Sequence, residues 1–372
     1  MKKNRSSSFT QLPISVLINV FLPLWLMLLV SGIVKMAAAI ILPANVSFPA
    51  VFVFGDSLVD NGNNNALLTL VKCNFPPYGR DFQGGFPTGR FSNGKTPPDI
   101  IAEELGIKDI VPAYLDPKLQ PKDLTTGVTF ASGGSGWDPQ TPLLALVYTM
   151  EDQMNHFKEY IGKLREVVGE EKTCFILANS FFVIVAGSND ITNTYYSVGL
   201  RRLQYDINSY SQFLAQSASQ FVQGLYELGA RRIGVFGVPP LGCLPSQRTT
   251  IGVLMRECLA EYNQASEIYS DTLSSTLASL SLTLDTNARI VYMDLYNPIL
   301  DIIQNAQQYG FDVVDKGCCG TGLTEVTFTC NPLTNTCGDD TKYLFWDAYH
   351  PTERGYRIII RQLLQKYLSK LY

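Results

Sequence analysis

The sequence is poor in the groups that hold metals and nucleic acids. Only two histidines occur, His156 and His350, and none of the eight cysteines is spaced Cys-x-x-Cys. A structural zinc site draws its ligands from residues so spaced, so the chain offers no metal centre of that kind. Charged residues are only 17% of the 372, the formal net charge is −4, and no basic run exceeds two residues. That balance excludes the electrostatic footprint of a DNA- or RNA-binding protein. A Gly-x-Ser-x-Gly elbow is also missing: Gly133-Gly134-Ser135-Gly136 comes near it but has Trp137 where the last glycine belongs. The nucleophile turn of the α/β-hydrolases is thereby ruled out.

What is present points to a globular enzyme. Hydrophobic residues make up 46% of the chain, with 19 Tyr and 20 Phe, ample for a large core. Lys2, Lys3 and Arg5 precede an apolar run from Ile14 to Val34, and Ala37, Ala38 and Ala39 follow it. This pattern predicts a secretory signal peptide over about 1–39, cut within 36–44, rather than an uncleaved anchor. Residues 40–372 are expected to form a single domain. The first 39 residues carry four basic and no acidic groups, so the mature chain would approach a charge of −8. Secretion implies oxidised cysteines. Cys243 and Cys258 flank one loop and are expected to pair. Cys318, Cys319, Cys330 and Cys337 crowd a Gly-, Thr- and Asn-rich segment and are expected to pair among themselves, while Cys73 and Cys174 stay unassigned. Asn45-Val46-Ser47 is a glycosylation sequon just behind the expected cut.

Along the chain, short apolar runs alternate with helical stretches. Ala50–Phe54, Val128–Ala131, Phe181–Ala186, Arg232–Phe236 and Arg289–Met293 are rich in Val, Ile and Phe, as strands buried on both faces of a parallel sheet are. Helices are expected over Leu143–Val168, Tyr205–Leu228 and Gly252–Leu280, and after Pro351, which suits a first-turn position. This order predicts a three-layer α/β sandwich. In such sheets function sits at the carboxyl ends of the strands, which singles out Gly55-Asp56-Ser57, Ser132-Gly133-Gly134, Gly187-Ser188-Asn189-Asp190 and Gly237–Pro240.

The choice of a general base is narrow. His156 lies in a charged helical stretch and is expected to be structural. His350 follows Asp347 by three residues and precedes Pro351. A carboxylate one turn before an imidazole can accept its Nδ1–H and fix the tautomer. Ser57, at the end of a buried strand, is the candidate nucleophile, with Ser135 as a weaker one. Gly133 and Gly134, the Asn189 amide and the Ser57 N–H are candidate donors to an oxyanion.

These residues resemble the plant branch of the GDSL esterase/lipases, within the SGNH hydrolases. The likeness is carried by Phe54-Gly55-Asp56-Ser57-Leu58-Val59-Asp60-Asn61-Gly62-Asn63-Asn64, Phe75-Pro76-Pro77-Tyr78-Gly79, Pro87-Thr88-Gly89-Arg90-Phe91-Ser92-Asn93-Gly94, Phe130-Ala131-Ser132-Gly133-Gly134, Gly187-Ser188-Asn189-Asp190, Pro239-Pro240-Leu241-Gly242-Cys243 and Phe345-Trp346-Asp347 through His350-Pro351-Thr352-Glu353. The resemblance implies a flavodoxin-like sandwich with five parallel strands and hydrolysis of carboxylic esters through an acyl-serine. It implies Ser57, Asp347 and His350 as the catalytic set, Gly133 or Gly134 with Asn189 as the oxyanion hole, and no cofactor. Thr129 stands where the family usually has Asn, an exchange expected to weaken a structural hydrogen bond without touching the catalytic set. The expected partner is a small-molecule or lipid ester, with no nucleic acid, no stable membrane anchor after cleavage and no obligate protein partner. An extracellular acyltransferase and a secreted lipid-binding protein without turnover are the two other functions considered. An intact Ser57–Asp347–His350 set weighs against the second.

Overall fold

The computed structural model describes residues 40, 42–251, 256–322 and 329–372; the expected signal segment lies outside the described residues. Four five-residue strands form a parallel sheet in the order β1 (Val51–Gly55), β2 (Phe181–Val185), β3 (Arg232–Phe236) and β4 (Arg289–Met293). The register runs from Val51 opposite Phe181 to Gly55 opposite Val185. Every residue of β1 and β2 is buried, which is why neither strand alternates apolar with polar side chains. The expected strand at Val128–Ala131 lies along the free edge of β1. There Val53 N donates to Val128 O (3.2 Å) and Phe130 N to Val53 O (2.7 Å), although a single bridge at Thr129 is its only regular pairing with β1. With that segment the sheet has five positions in the flavodoxin order 2-1-3-4-5. A short parallel pair, β5 (Val313–Gly317) with β6 (Tyr343–Phe345), stands apart from it in the hydrogen-bonding pattern.

Helices flank the sheet in two groups: α7 (Glu353–Tyr367) packs against both α1 (Pro97–Glu104) and α6 (Tyr296–Gln304), and α4 (Ile207–Glu227) packs against both α2 (Met150–Val168) and α5 (Ala260–Ser281). Another helix, α3 (Glu170–Asn179), follows α2 and leads into β2. Phe52, Phe54, Phe130, Phe157, Tyr160 and Phe182 interlock between β1 and α2; the Phe54–Phe130 rings stack at 5.0 Å and Phe54–Phe157 meet edge-on at 5.4 Å. Burial of such rings is the largest favourable contribution a small number of side chains can make to a core.

Three helix boundaries differ from expectation. The helix expected from Leu143 starts at Met150, because Thr149 and Asp152 form a reciprocal capping box and Leu146 takes a left-handed conformation (φ 54°) that ends a separate turn, Gln140–Ala145. The start expected at Gly252 lies outside the described residues; the helix begins at Ala260, because Cys258 is bonded to Cys243 and Leu259 N donates to Gly242 O (2.9 Å), which pins Cys258 and Leu259 ahead of it. Pro351 stands two residues ahead of α7 rather than in its first turn, since Thr352 is the N-cap and accepts from Gly355 N. Cys243–Cys258, Cys318–Cys337 and Cys319–Cys330 are bonded in the structure, with Cys73 buried and Cys174 exposed as free thiols. Asn45 is exposed in a turn.

Candidate active site

The chain leaves β1 through Gly55, whose φ is +136°; a Cβ there would fall 1.9 Å from Val185 O. Only glycine fits, and the sharp turn it permits lifts Ser57 onto the carboxyl edge of the sheet. Gln153 of α2, fully buried, clamps this corner: its Oε1 accepts from Gly55 N (2.8 Å) and its Nε2 donates to Gly55 O (2.9 Å). Asp56 N then donates to Val185 O (2.9 Å), so the residue before the serine is bound to β2. Ser57 itself is half-buried.

His350 comes to Ser57 from the far end of the chain. Its Nε2 stands 2.8 Å from Ser57 Oγ, while its Nδ1 stands 2.9 and 2.8 Å from the two oxygens of Asp347. A carboxylate at Nδ1 demands the proton there, which leaves Nε2 as the acceptor for the serine hydroxyl. Asp347 is itself fully occupied. Its Oδ1 accepts from the backbone N–H of Tyr349 (2.8 Å) and His350 (2.7 Å), and its Oδ2 accepts from Tyr78 OH (2.7 Å). Burial works to raise its carboxyl pKa, but the neighbouring imidazole and the backbone N–H groups of His350 and Tyr349 outweigh burial and hold it below its ordinary value. Phe91 covers the imidazole, ring to ring at 5.0 Å.

The candidate oxyanion donors divide. Gly133 does not qualify: its N–H is spent on Asp60 Oδ2 (2.9 Å), and it does not line the cavity above Ser57. Gly134 does line that cavity, half-buried, in a left-handed conformation (φ +85°). Asn189 lines it too; its Nδ2 donates to Ser135 O (3.0 Å) and its Oδ1 accepts from Asn193 (3.2 Å), which fixes the amide and leaves one N–H of Nδ2 for a ligand. Ser135, the alternative nucleophile, is fully buried, with Gln153 Nε2 rather than an imidazole at its hydroxyl (3.3 Å). His156, the other histidine, sits on α2 against the rings of Tyr148 (5.1 Å) and Tyr114 (5.8 Å). Burial lowers its pKa, as a half-buried structural residue requires.

Several residues that hold the site were not visible as such in the sequence. Asp60 accepts from Gly62 N, Asn63 N and Gly133 N. Asn63 Nδ2 donates to Thr129 O (2.9 Å) and Ala131 O (2.8 Å), and Asn64 Nδ2 to Gly133 O (2.9 Å). These short polar side chains form a bracket around the segment carrying Gly134. Thr129 donates here from Oγ1 to Val59 O (2.8 Å). Asp190 accepts from Trp137 N, Asp138 N and Thr141 Oγ1. Burial pushes Asp60 and Asp190 up to about 6, against the pull of their donors, and pushes Asp56 up to about 7, opposed by the Leu58 N–H and His350. The second oxygen of Asp56 has no hydrogen-bond partner among the described residues. The cavity over Ser57 has a volume of about 270 Å³ and an apolar wall that includes Leu70, Val71, Phe75, Phe91 and Leu241. Such a space is shaped to take a small apolar group beside Ser57.

A sequence model of the GDSL-like lipase/acylhydrolase family matches residues 51–363. The GDSL esterase/lipase EXL3 of Arabidopsis thaliana is 52% identical over 333 residues, covering 89% of this chain and 91% of its own. The GDSL esterase/lipase EXL2 of the same plant is 49% identical over 341 residues, covering 88% and 90%. An acetylxylan esterase from Geobacillus stearothermophilus aligns over 86% of the chain and 94% of its own at a TM-score of 0.37 and 12% identity, too remote to bear on the site.

Proposed function

Because the chain belongs to the GDSL-like lipase/acylhydrolase family and is a carboxylic ester hydrolase, we propose that it is secreted and cleaves acyl esters through a covalent intermediate on Ser57. The observation that carries the reading is the unbroken line from Ser57 Oγ through the His350 ring to Asp347. His350 Nε2 takes the hydroxyl proton as Ser57 Oγ bonds to the ester carbonyl carbon. The carbonyl oxygen, now an anion, is met by the N–H groups of Ser57 and Gly134 and by the Asn189 amide. His350 passes its proton to the departing alcohol oxygen as the ester C–O bond breaks. A water then repeats the sequence: it gives its proton to Nε2, its oxygen bonds to the acyl carbon, and the acid leaves as Ser57 regains the proton. Asp347 stays ionised and stabilises the imidazolium in both halves.

Secretion is supported by the basic and apolar N-terminal pattern, by three disulfides in the described chain and by the exposed sequon at Asn45. The test is labelling with a fluorophosphonate, followed by peptide mapping, beside a p-nitrophenyl ester chain-length series. Label on Ser57 and turnover of the series are expected. Label on another serine, or a protein that binds acyl esters without cleaving them, would sink the mechanism. N-terminal sequencing of the exported protein tests the signal: a chain beginning at Met1 would refute it.

A further inference from the structure

Beside the mouth of the cavity lie two loops of unusual composition. Residues 61–71 and 139–150 contain no charged side chain, in a chain where 17% of residues are charged. They are tied together by Thr69 Oγ1 donating to Ala145 O (2.6 Å). Between them they expose Leu68 (95%), Leu70 (77%), Leu143 (65%), Leu144 (51%) and Leu146 (69%) to solvent. Leu146 is held there in a left-handed backbone conformation that a leucine rarely adopts. A shallow open hollow of about 480 Å³ runs between the loops, and Leu70, Val71, Lys72 and Ala145 line both it and the Ser57 cavity. The patch is therefore continuous with the substrate site. Contiguous leucines more than half exposed mark an interaction surface. Lys72, the one charged residue among the described residues lining the hollow, gives its ammonium to Leu67 O (2.9 Å).

We propose that this leucine rim docks the protein onto an uncharged acyl-ester phase, from which single chains pass along Leu70 and Val71 into the cavity. The absence of charge selects a neutral lipid surface over an anionic one, whose binding draws on clustered Lys and Arg. The inference rests on the ester-hydrolase reading and adds the physical state of its substrate.

The test uses a triacylglycerol emulsion, dissolved p-nitrophenyl butyrate and the triple variant Leu68→Ser/Leu144→Ser/Leu146→Asn. Asn accepts the left-handed conformation at 146, and none of the three residues lines the Ser57 cavity. The variant should keep its rate on dissolved butyrate ester, lose at least about tenfold in emulsion hydrolysis, and cease to float with the droplets. Equal emulsion hydrolysis and flotation by wild type and variant would overturn the proposal. So would a concentration-dependent dimer in sedimentation that the variant abolishes, which would make the rim a self-interface. Loss of the dissolved-ester rate as well would overturn it by placing these leucines in the substrate site. A wild-type protein that floats with droplets yet cleaves neither ester would refute the hydrolase reading and leave the docking surface standing.

Discussion

On the Ser57 side of the cavity, irregular backbone is held by buried side chains. Asp60, Asn63 and Asn64 bracket the Gly133–Gly134 segment, Asp190 holds the turn at Trp137–Thr141, and Gln153 clamps Gly55. On the His350 side the same task falls to covalent bonds. Cys318 and Cys319, each in a disulfide, donate their backbone N–H groups to Phe345 O (3.0 Å) and Trp346 O (2.6 Å), directly ahead of Asp347. One wall is fixed by hydrogen bonds to buried carboxylates and amides, the other by bonds that reduce. The two should therefore fail under different conditions, and Ser57 and His350 meet where they join.

The largest effect is expected at that junction. Ser57→Ala and His350→Ala should each cut kcat by about 10⁴-fold or more, and the double variant should be no worse than either, because both serve one proton transfer. Steady-state kinetics on a p-nitrophenyl ester measures this; losses that add would mean the two walls do not share one site.

Next in size is the covalent wall. Cys319→Ala/Cys330→Ala should cost about 3 kcal/mol of stability by the chain-entropy estimate, read as a fall in Tm. Mild reductant should expose the 318–337 segment to protease and lower activity. Cleavage appearing first near 60–64 or 130–138 would break the comparison.

Tyr78 belongs to neither system but closes the carboxylate between them. Tyr78→Phe removes one donor to Asp347 and should lower kcat by about tenfold with KM little changed, a hydrogen bond to a charged group being worth about 1.5–3 kcal/mol at most. An unchanged kcat would show that Asp347 is held by its backbone donors alone.

The smallest effect is a slope. Asp56, raised to about 7 in the fold against an ordinary 3.8, binds its proton more tightly folded than unfolded. Stability from it is fully present below about pH 4 and is lost as pH rises through 7, by up to about 1.4 kcal/mol per unit. Asp347, lowered in the fold, has the opposite sign and loses its share as pH falls. Asp56→Asn retains an acceptor for Leu58 N and should flatten the decline of Tm from pH 5 to pH 8. A slope identical to wild type would show that Asp56 does not titrate in that range.

Much of this was legible in the residue order. Runs such as Val51-Phe52-Val53-Phe54 and Phe181-Phe182-Val183-Ile184-Val185 are buried on both faces, so hydrophobicity alone marks them as strands, and the carboxyl-edge rule then points to Ser57 and Asn189. The three-residue spacing of Asp347 and His350 is local, and local geometry is what a sequence encodes most directly. The partners that make the site rigid are another matter. Tyr78 reaches Asp347 across 269 positions, Gln153 reaches Gly55 across 98, and Asp60 reaches Gly133 across 73. No periodicity spans such distances, and a buried Asp and a surface Asp are the same letter. Which glycine offers its N–H was decided the same way: Gly133 and Gly134 are adjacent and alike in sequence, and only the approach of Asp60 in the folded chain takes one of them out of the site.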